Sequence, residues 1–216
     1  MNMSTQKSVV HLNHLLKYAG ILLVGFFLFA LSGLPATANA SDFYIGGGAG
    51  WARHNDAKVA TQFSGTVDET DCAWRLFGGW QITSWFGIEG GYTDLGESTY
   101  TGTWSGVPDR GTKARSGLEV SAVGTWQIGN PWGIFGVIGI FDWDVEEKEV
   151  YAGAPEPLKE ASGTDILYGL GVQVDILKCL DLRVQWRRYN DVGDKQKTGE
   201  SDVDMLTADL VFRFEL

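Results

Sequence analysis

The stretch WRLFGGWQITSWFGIEGGYTDLGE, residues 74–97, decides the fold because it holds two alternating runs around a short polar turn, Thr83-Ser84. In the first run one parity is mainly apolar and ends in bulky aromatics, whereas the other includes Arg75 and Gln81. Successive side chains of a β-strand point to opposite faces of the sheet. The stretch therefore predicts an antiparallel hairpin with one apolar face, and lipid is a strong candidate for the partner of that face.

The first 40 residues have the pattern of a secretory signal. Two lysines and no acidic residue precede an apolar run, 19–34, and the small residues Ala-Asn-Ala at 38–40 form a cleavage pattern. The apolar run has 16 residues, and a spanning helix needs about 20, so a retained anchor is the less favoured alternative. We expect a cleaved signal peptide over 1–40 and one mature domain over 41–216.

The mature chain is strongly acidic. Removing the two leader lysines leaves 15 Lys and Arg against 27 Asp and Glu, a net charge of about −12. This excess repels nucleic acid and anionic headgroups, so neither is expected as a direct partner. Because 41–216 holds no run of 18 apolar residues, we expect no transmembrane helix after the leader.

Alternating segments recur along the mature chain, and short turns alternate with long polar connections. This arrangement is typical of a meander of hairpins in an outer membrane. We therefore predict an all-β fold, an eight-stranded antiparallel up-and-down transmembrane β-barrel with both termini on the periplasmic side. The predicted strands are 43–53, 72–82, 86–96, 115–128, 133–145, 163–175, 180–189 and 203–214. The predicted long connections are near 54–71, 97–114, 146–162 and 190–202.

The parity opposite to the apolar one carries polar residues that should face the barrel interior. Strand 133–145 is apolar on both faces, so the pattern does not determine its orientation. Glycine permits tight curvature in a barrel and leaves room for long interior side chains. The residues predicted to point inward are Arg75, Glu89, Glu119, Gln173, Arg183, Gln185 and Arg213.

Aromatic residues collect at both ends of the predicted strands, as in the interfacial girdles of membrane barrels. At the short-turn end they are Trp85, Phe86, Trp126, Trp132 and Phe214. At the other end they are Trp51, Trp74, Tyr92 and Trp143.

At this point the sequence resembles the OmpA-type eight-stranded outer-membrane β-barrels, such as the OmpA transmembrane domain and the smaller OmpX-like porin-family proteins. From the same resemblance we expect no counterpart of the peptidoglycan-binding domain of full OmpA proteins. The resemblance implies a cell outer membrane of the Gram-negative type, surrounding lipid and lipopolysaccharide, and insertion by barrel-assembly machinery. It rests on LFGGWQITSWFGIEGGYTDLGE (76–97), WGIFGVIGIFDWDVE (132–146), YGLGVQVDI (168–176) and LRVQWRRYNDVGD (182–194).

The resemblance also implies a charged network in place of an open channel. By position, Glu89 and Arg183 correspond to the central acid–arginine pair of the family. Val123 stands where the family has a lysine, and Gln173 and Gln185 stand where it has glutamates. We therefore expect a reduced network, which charged residues of neighbouring strands can join.

The last strand resembles the family's assembly signal, which ends in an aromatic with apolar residues at alternate positions before it. Two residues, Glu215-Leu216, extend beyond the usual terminal phenylalanine. The residues that keep the parity of the signal are Leu210, Phe212, Phe214 and Leu216.

Candidate chemistry is sparse. His54 is the one histidine of the mature chain, and it could be combined with Ser64, Ser98 or Ser105 and a loop aspartate as in lipid-modifying barrels. No motif fixes that arrangement, and a lone loop histidine is usually solvated. No spacing matches a known metal site. We expect no enzyme activity, no cofactor and no metal.

The long connections carry acidic residues and one exposed aromatic, Trp104, on a Gly-rich segment expected to be flexible. Trp104 is either a contact for an extracellular ligand or part of the rim. The carboxylates form a solvated face or bridge through divalent cations to the anionic sugars of the outer leaflet. They are Asp68, Glu69, Asp71, Glu146, Glu147, Glu149, Asp191 and Asp194.

Three function classes follow from these patterns. The sequence favours a structural or surface-interaction barrel with long acidic loops outside the cell. The alternatives are a narrow channel for ions or small solutes and a lipid-active enzyme. The strand pattern also places Cys72 and Cys179 on opposite sides of the membrane, so we expect no disulfide between them.

Overall fold

Consecutive hairpins form one antiparallel sheet in this computed structural model, which describes residues 42–55 and 63–214. Within those ranges no helix is long and apolar enough to cross a membrane. The strands are β1 (Asp42–His54), β2 (Phe63–Asp68), β3 (Thr70–Gln81), β4 (Phe86–Trp104), β5 (Val107–Gly129), β6 (Trp132–Tyr151), β7 (Ala154–Pro155), β8 (Lys159–Leu177), β9 (Leu180–Asp194) and β10 (Gly199–Phe214).

Eight long strands close into a barrel, because β1 pairs with both β3 and β10, and β4 also pairs with β5. Cross-strand partners followed once around from Tyr44 lead back to β1 at His54, ten residues further on. Such a stagger means that the strands are inclined to the barrel axis. The predicted fold class is confirmed.

Burial alternates along the strands and resolves the orientation of β6. Phe135, Val137 and Phe141 are buried in the lumen, whereas Ile134 and Ile138 point outward. The strand is apolar on both faces because its outward side chains belong to an exposed apolar belt and its inward side chains to an apolar part of the lumen. Outward side chains form an apolar belt that includes Ile45, Leu76, Leu118, Val120, Ile140, Ile166, Leu170, Leu210 and Phe212.

The long connections are mostly strand, which corrects the prediction of polar loops. β4 and β5 continue as one ladder to a tight turn at Ser105-Gly106, and β6 and β8 pair as far as Glu147 and Lys159. Trp104 is the last residue of β4 and lies beside that turn. We call the extensions 63–69, 95–114, 145–161 and 190–202 the crown. Residues 56–62, within the first predicted connection, lie outside the described residues.

The crown was missed because its strands carry polar residues on both faces. Tyr100, Lys113 and Glu147 turn toward the interior, where they contact one another, and hydroxyl or charged side chains face outward. Strand prediction depends on apolar alternation, and this pattern is weak wherever the interior is also polar.

Aromatic rings in the lumen lie over glycines of the neighbouring strand. Tyr44 covers its cross-strand partner Gly79, and a Cβ added there would overlap the phenol ring. Phe135 likewise covers its partner Gly171. These glycines provide space for a ring at positions where any other residue would collide with it. We call such pairs ring–glycine pairs; another is Trp143 with Gly163.

Candidate functional site: the sealed lumen

A charged network crosses the centre of the barrel, and Arg75 of β3 connects three strands within it. Its Nη2 lies 2.7 Å from Glu119 and 3.4 Å from Glu89, and its Nη1 lies 3.1 Å from Asp209. The four side chains are almost fully buried. Each carboxylate therefore replaces lost water contacts with charge-assisted hydrogen bonds.

Two further arginines, both on β9, complete the network. Arg187 donates to Glu119 at 2.7 Å and to Glu89 at 3.0 Å, and Arg183 donates to Glu89 at 2.5 Å. Three guanidinium groups thus face three carboxylates, one of them Asp209. Opposite charges in equal number are what a water-poor lumen requires.

Neutral donors and aromatic faces surround these charges. The Tyr44 hydroxyl donates to Glu89 at 3.1 Å, and the Tyr189 hydroxyl donates to Glu119 at 2.9 Å. The Arg75 guanidinium lies 3.9 Å from the ring centre of Phe77. Cation–π contact stabilises a desolvated guanidinium, so this network combines ion pairs with aromatic packing.

An apolar layer lies on the crown side of the network. The Phe141 and Tyr189 rings meet edge to face at 4.7 Å between centroids. Trp143 is buried there, and its indole N–H donates to Asp165 at 2.8 Å. The placement of Trp143 in the aromatic girdle was therefore wrong, because its parity on β6 points inward. The layer consists of Ala52, Ala73, Leu95, Phe141, Trp143, Val145, Ala161, Leu167, Tyr189, Val192, Val203 and Met205.

A second polar cluster lies beyond this layer, around Arg115. Its guanidinium contacts His54 Nδ1 at 3.0 Å and donates to the hydroxyls of Ser98 at 2.9 Å and Ser201 at 3.3 Å. A guanidinium only donates, so Nδ1 of His54 accepts and its proton is on Nε2. His54 is fully buried, which corrects the expectation of a solvated loop histidine.

The predicted interior residues separate into two groups. The structure brings Arg75, Glu89, Glu119, Arg183 and Gln185 together, with Gln185 donating to Asp209. The other two are closer to the short-turn end, where Gln173 packs beside Gly133 and Arg213 lies 2.5 Å from Asp181.

Sequence reasoning missed four members of the central network. Arg187 and Tyr189 share the parity of Arg183 on β9, so continuing that alternation two steps would have included them. Asp209 and Tyr44 gave a weaker signal. Each stands among small or apolar residues of its own strand, and the charged residues that it contacts lie on other strands.

The girdle residues other than Trp143 lie at the barrel surface. The Trp74 and Tyr92 rings meet at 5.6 Å, and the Trp85 and Phe86 rings at 5.7 Å. Leu216 of the assembly signal lies outside the described residues. The exposed or half-buried residues of these two sets are Trp51, Trp74, Trp85, Phe86, Tyr92, Trp126, Trp132, Leu210, Phe212 and Phe214.

Relatives at the sequence level are outer-membrane proteins. Outer membrane protein A of Klebsiella pneumoniae is 25% identical over 187 residues, which cover 84% of this chain and 53% of that protein. Outer membrane protein A of Escherichia coli O157:H7 is 25% identical over 190 residues, covering 86% and 52% respectively. The chain spans about half the length of the curated relatives it matches.

Solved structures share the fold. Ail of Yersinia pestis has a TM-score of 0.53 and 14% identity, covering 82% of this chain and 100% of Ail. OprG of Pseudomonas aeruginosa has a TM-score of 0.50 and 12% identity, covering 82% and 97%. The family model described as the OmpA-like transmembrane domain matches residues 38–216. The chain therefore belongs to the OmpA-like transmembrane domain family and is an outer-membrane β-barrel.

Proposed function

We propose that this protein is a closed, non-conducting barrel that anchors a structured crown outside the cell, with a structural or surface-interaction role. The observation that supports this most is the filling of the lumen by two successive layers. The central network leaves no charge without an opposite one, and the apolar layer excludes the water that a permeating ion would need. An ion on this path would have to separate buried charge pairs, which leaves uncompensated charges in the lumen.

Planar-bilayer recording of refolded protein tests the proposal. We expect no regular conductance steps from the wild type. The variant Glu89→Ala with Arg183→Ala should also stay closed, because the apolar layer remains in place. Adding Phe141→Ala and Trp143→Ala should introduce conductance. Regular steps from the wild type would instead support the narrow-channel alternative.

The crown is the part that we propose for surface interaction. Its outward strand faces carry Asp144 and Glu146 beside Glu160, and Asp142 lies just below them. Ail, a barrel of the same fold, was crystallised with the heparin analogue sucrose octasulfate. We expect the opposite preference here, because an acidic face repels a polyanion. Lipopolysaccharide would then contact this chain mainly through its acyl chains.

A lipid-active enzyme receives less support. Ser98 and His54, two of the residues considered for catalysis, both contact the buried Arg115, and both are sealed from lipid. Ser64 is on β2 and Ser105 is in the turn after β4. We propose that His54 has a structural role and that His54→Gln leaves any lipid-hydrolysing activity of membrane preparations unchanged.

Residues 1–40 lie outside the described residues, and we propose that they are a cleaved signal peptide. Mass spectrometry of the protein extracted from outer membranes should show a chain that begins at Ser41. A mature chain that retains the apolar run 19–34 would indicate an anchor instead.

A further inference from the structure

A groove of about 550 Å³ crosses the lipid-facing surface of the barrel from β5 to β10. Gly124 and Gly136 form its floor near β5 and β6, and Trp126 and Ile134 form a wall on the short-turn side. It continues across β8 and β9 to Leu206 of β10. These outward residues follow the pairing register in one oblique row, in the order Gly124, Gly136, Leu170, Trp186 and Leu206.

The barrel itself does not require these two glycines. A Cβ added at Gly124 would meet nothing within 4 Å, and one added at Gly136 would meet its nearest atom, the Gly169 carbonyl oxygen, at 3.8 Å. In contrast, interior glycines such as Gly79 and Gly171 make room for aromatic rings. Glycine weakens a strand and offers no side chain for packing. The two glycines of the floor thus reduce side-chain packing within the chain and leave space for a molecule outside the barrel.

The location of the groove determines what fills it. The groove lies within the apolar belt, and its upper end at Leu206 is next to Trp51 of the crown-side girdle. Four inter-strand steps of roughly 4.8 Å give it a length of about 19 Å. One leaflet of hydrocarbon is about 15 Å thick, half of a core of about 30 Å. A lipid chain running obliquely down from the crown-side girdle therefore matches both the length and the direction of the groove.

We propose that this groove binds one acyl chain of a phospholipid that has entered the crown-side leaflet. Lipid tails are as apolar as leucine, so the hydrophobic effect does not select the site. The selection comes from dispersion contacts, which an acyl chain gains along a fitted groove and loses over a gap. The bound chain lies over the glycine floor against Trp126, and its headgroup remains at the level of Trp186, whose indole N–H donates to Asp204 at 3.1 Å.

Native mass spectrometry of barrels released from nanodiscs of palmitoyl-oleoyl phosphatidylethanolamine tests the site. Wild-type protein should retain one phospholipid per barrel. The variant Gly124→Leu with Gly136→Leu fills the floor and should retain it at least tenfold less often. Dioctanoyl phosphatidylethanolamine, whose chains are shorter than the groove, should be lost from both proteins. Equal retention of the long-chain lipid by wild type and filled variant would overturn the proposal.

The chain offers a matched control. Gly78 and Gly90 are also cross-strand partners on the outward face, and a Cβ added at either would meet its nearest atom at 3.7 or 3.8 Å. They are not part of the groove. Gly78→Leu with Gly90→Leu should therefore retain lipid as the wild type does. A loss equal to that of the groove variant would show a general surface effect and overturn the site.

A second measurement does not depend on the folding of any variant. Phospholipid with a nitroxide near the chain end, in bilayers containing wild-type barrels, should show a slowly exchanging population of about one chain per barrel beyond the ordinary boundary lipid. The absence of that population would contradict the proposal.

Discussion

The central network illustrates how buried charges depend on one another at the residue scale. Glu89 accepts from Arg183, Arg187 and Tyr44 and lies 3.4 Å from Arg75. No single pair is independent, because each guanidinium except that of Arg183 contacts more than one carboxylate. Removing one member leaves a desolvated opposite charge, and this penalty exceeds the strength of any one hydrogen bond.

A double-mutant cycle of Glu89→Gln and Arg183→Met tests this dependence. Glu89→Gln should lower the free energy of unfolding by roughly 3–5 kcal/mol, because Arg183 loses the carboxylate that it contacts. Arg183→Met should lower it by less, because Glu89 keeps its contacts with Arg75 and Arg187. The double variant should lose less than the sum. Urea unfolding in detergent measures all three, with the exposed Glu160→Gln as the control that should change little. A coupling energy near zero would contradict the pairing.

A substitution at Gly48, a glycine beside Asp209, offers a second test of the central network. A Cβ at Gly48 would overlap the carboxylate of Asp209, which is buried against Arg75. We expect Gly48→Ala to displace that carboxylate and lower the unfolding free energy by about 2 kcal/mol or more. Gly90→Ala is the control, since a Cβ at Gly90 would make only an ordinary contact, 3.8 Å from the Glu119 carbonyl oxygen. The prediction fails if both variants unfold at the same urea concentration.

At the element scale, the sequence predicts strands wherever lipid is on one side and polar side chains are on the other. Residues 74–97 satisfy this condition, and the turn between β3 and β4 falls within a residue or two of its predicted place. β6 does not satisfy it, because Phe141 and Trp143 turn inward to an apolar layer that other strands complete. The orientation of β6 and the burial of Trp143 therefore depend on partners that no local pattern contains.

The candidate site was predictable only in part, because only some of its residues stand out within their own strand. Glu89 and Arg183 stand out as charges of the inward parity within apolar strands. His54 gave no such signal, because its burial depends on Arg115, which is 61 residues away in the sequence. Long-range pairing of this kind follows from the register of the closed barrel and not from the alternation within one strand.

The crown should be a stable ladder on the hydrogen-exchange time scale. Residues 98–103 pair with 108–113 across β4 and β5, so we expect their amides to exchange more slowly than those of the turn at Ser105-Gly106. Hydrogen exchange read by mass spectrometry would check this. Exchange across 98–115 as fast as in an unfolded peptide would show that this segment is a flexible loop.

Asp109 makes the crown sensitive to pH. Burial, and then the neighbouring Glu149 carboxylate, raise the pKa of Asp109. A carboxyl with a raised folded-state pKa contributes stability below its unfolded pKa of about 3.9, and that contribution is lost as pH rises through the folded-state pKa. Asp109→Asn should therefore slow amide exchange of β5 relative to wild type at pH 7 more than at pH 4. An equal effect at both pH values would contradict the assignment.

At the scale of the whole molecule, the closed register separates the two cysteines. Cys72 is the cross-strand partner of Trp51 near the crown, whereas the Cys179 carbonyl accepts from the Arg213 amide at the short-turn end. The apolar band alone is about 25 Å tall, and a disulfide needs Cα atoms within about 7 Å. Mass spectrometry of unreduced monomer should show no Cys72–Cys179 link. Finding that link would contradict the barrel topology as well as this prediction.

The ring–glycine pairs have a consequence for how the barrel recognises its own strands. A shift of two residues between β1 and β3 would place Phe77 or Gln81 opposite Tyr44, where Gly79 now lies. A shift of two residues between β6 and β8 would place Gln173 opposite Phe135 in one direction, whereas in the other direction it would place another glycine, Gly169, there. Alternation alone tolerates such a shift, because inward residues stay inward. Three of these four shifts would place a larger side chain where a ring now lies over a glycine, so the ring–glycine pairs favour the native alignment by volume.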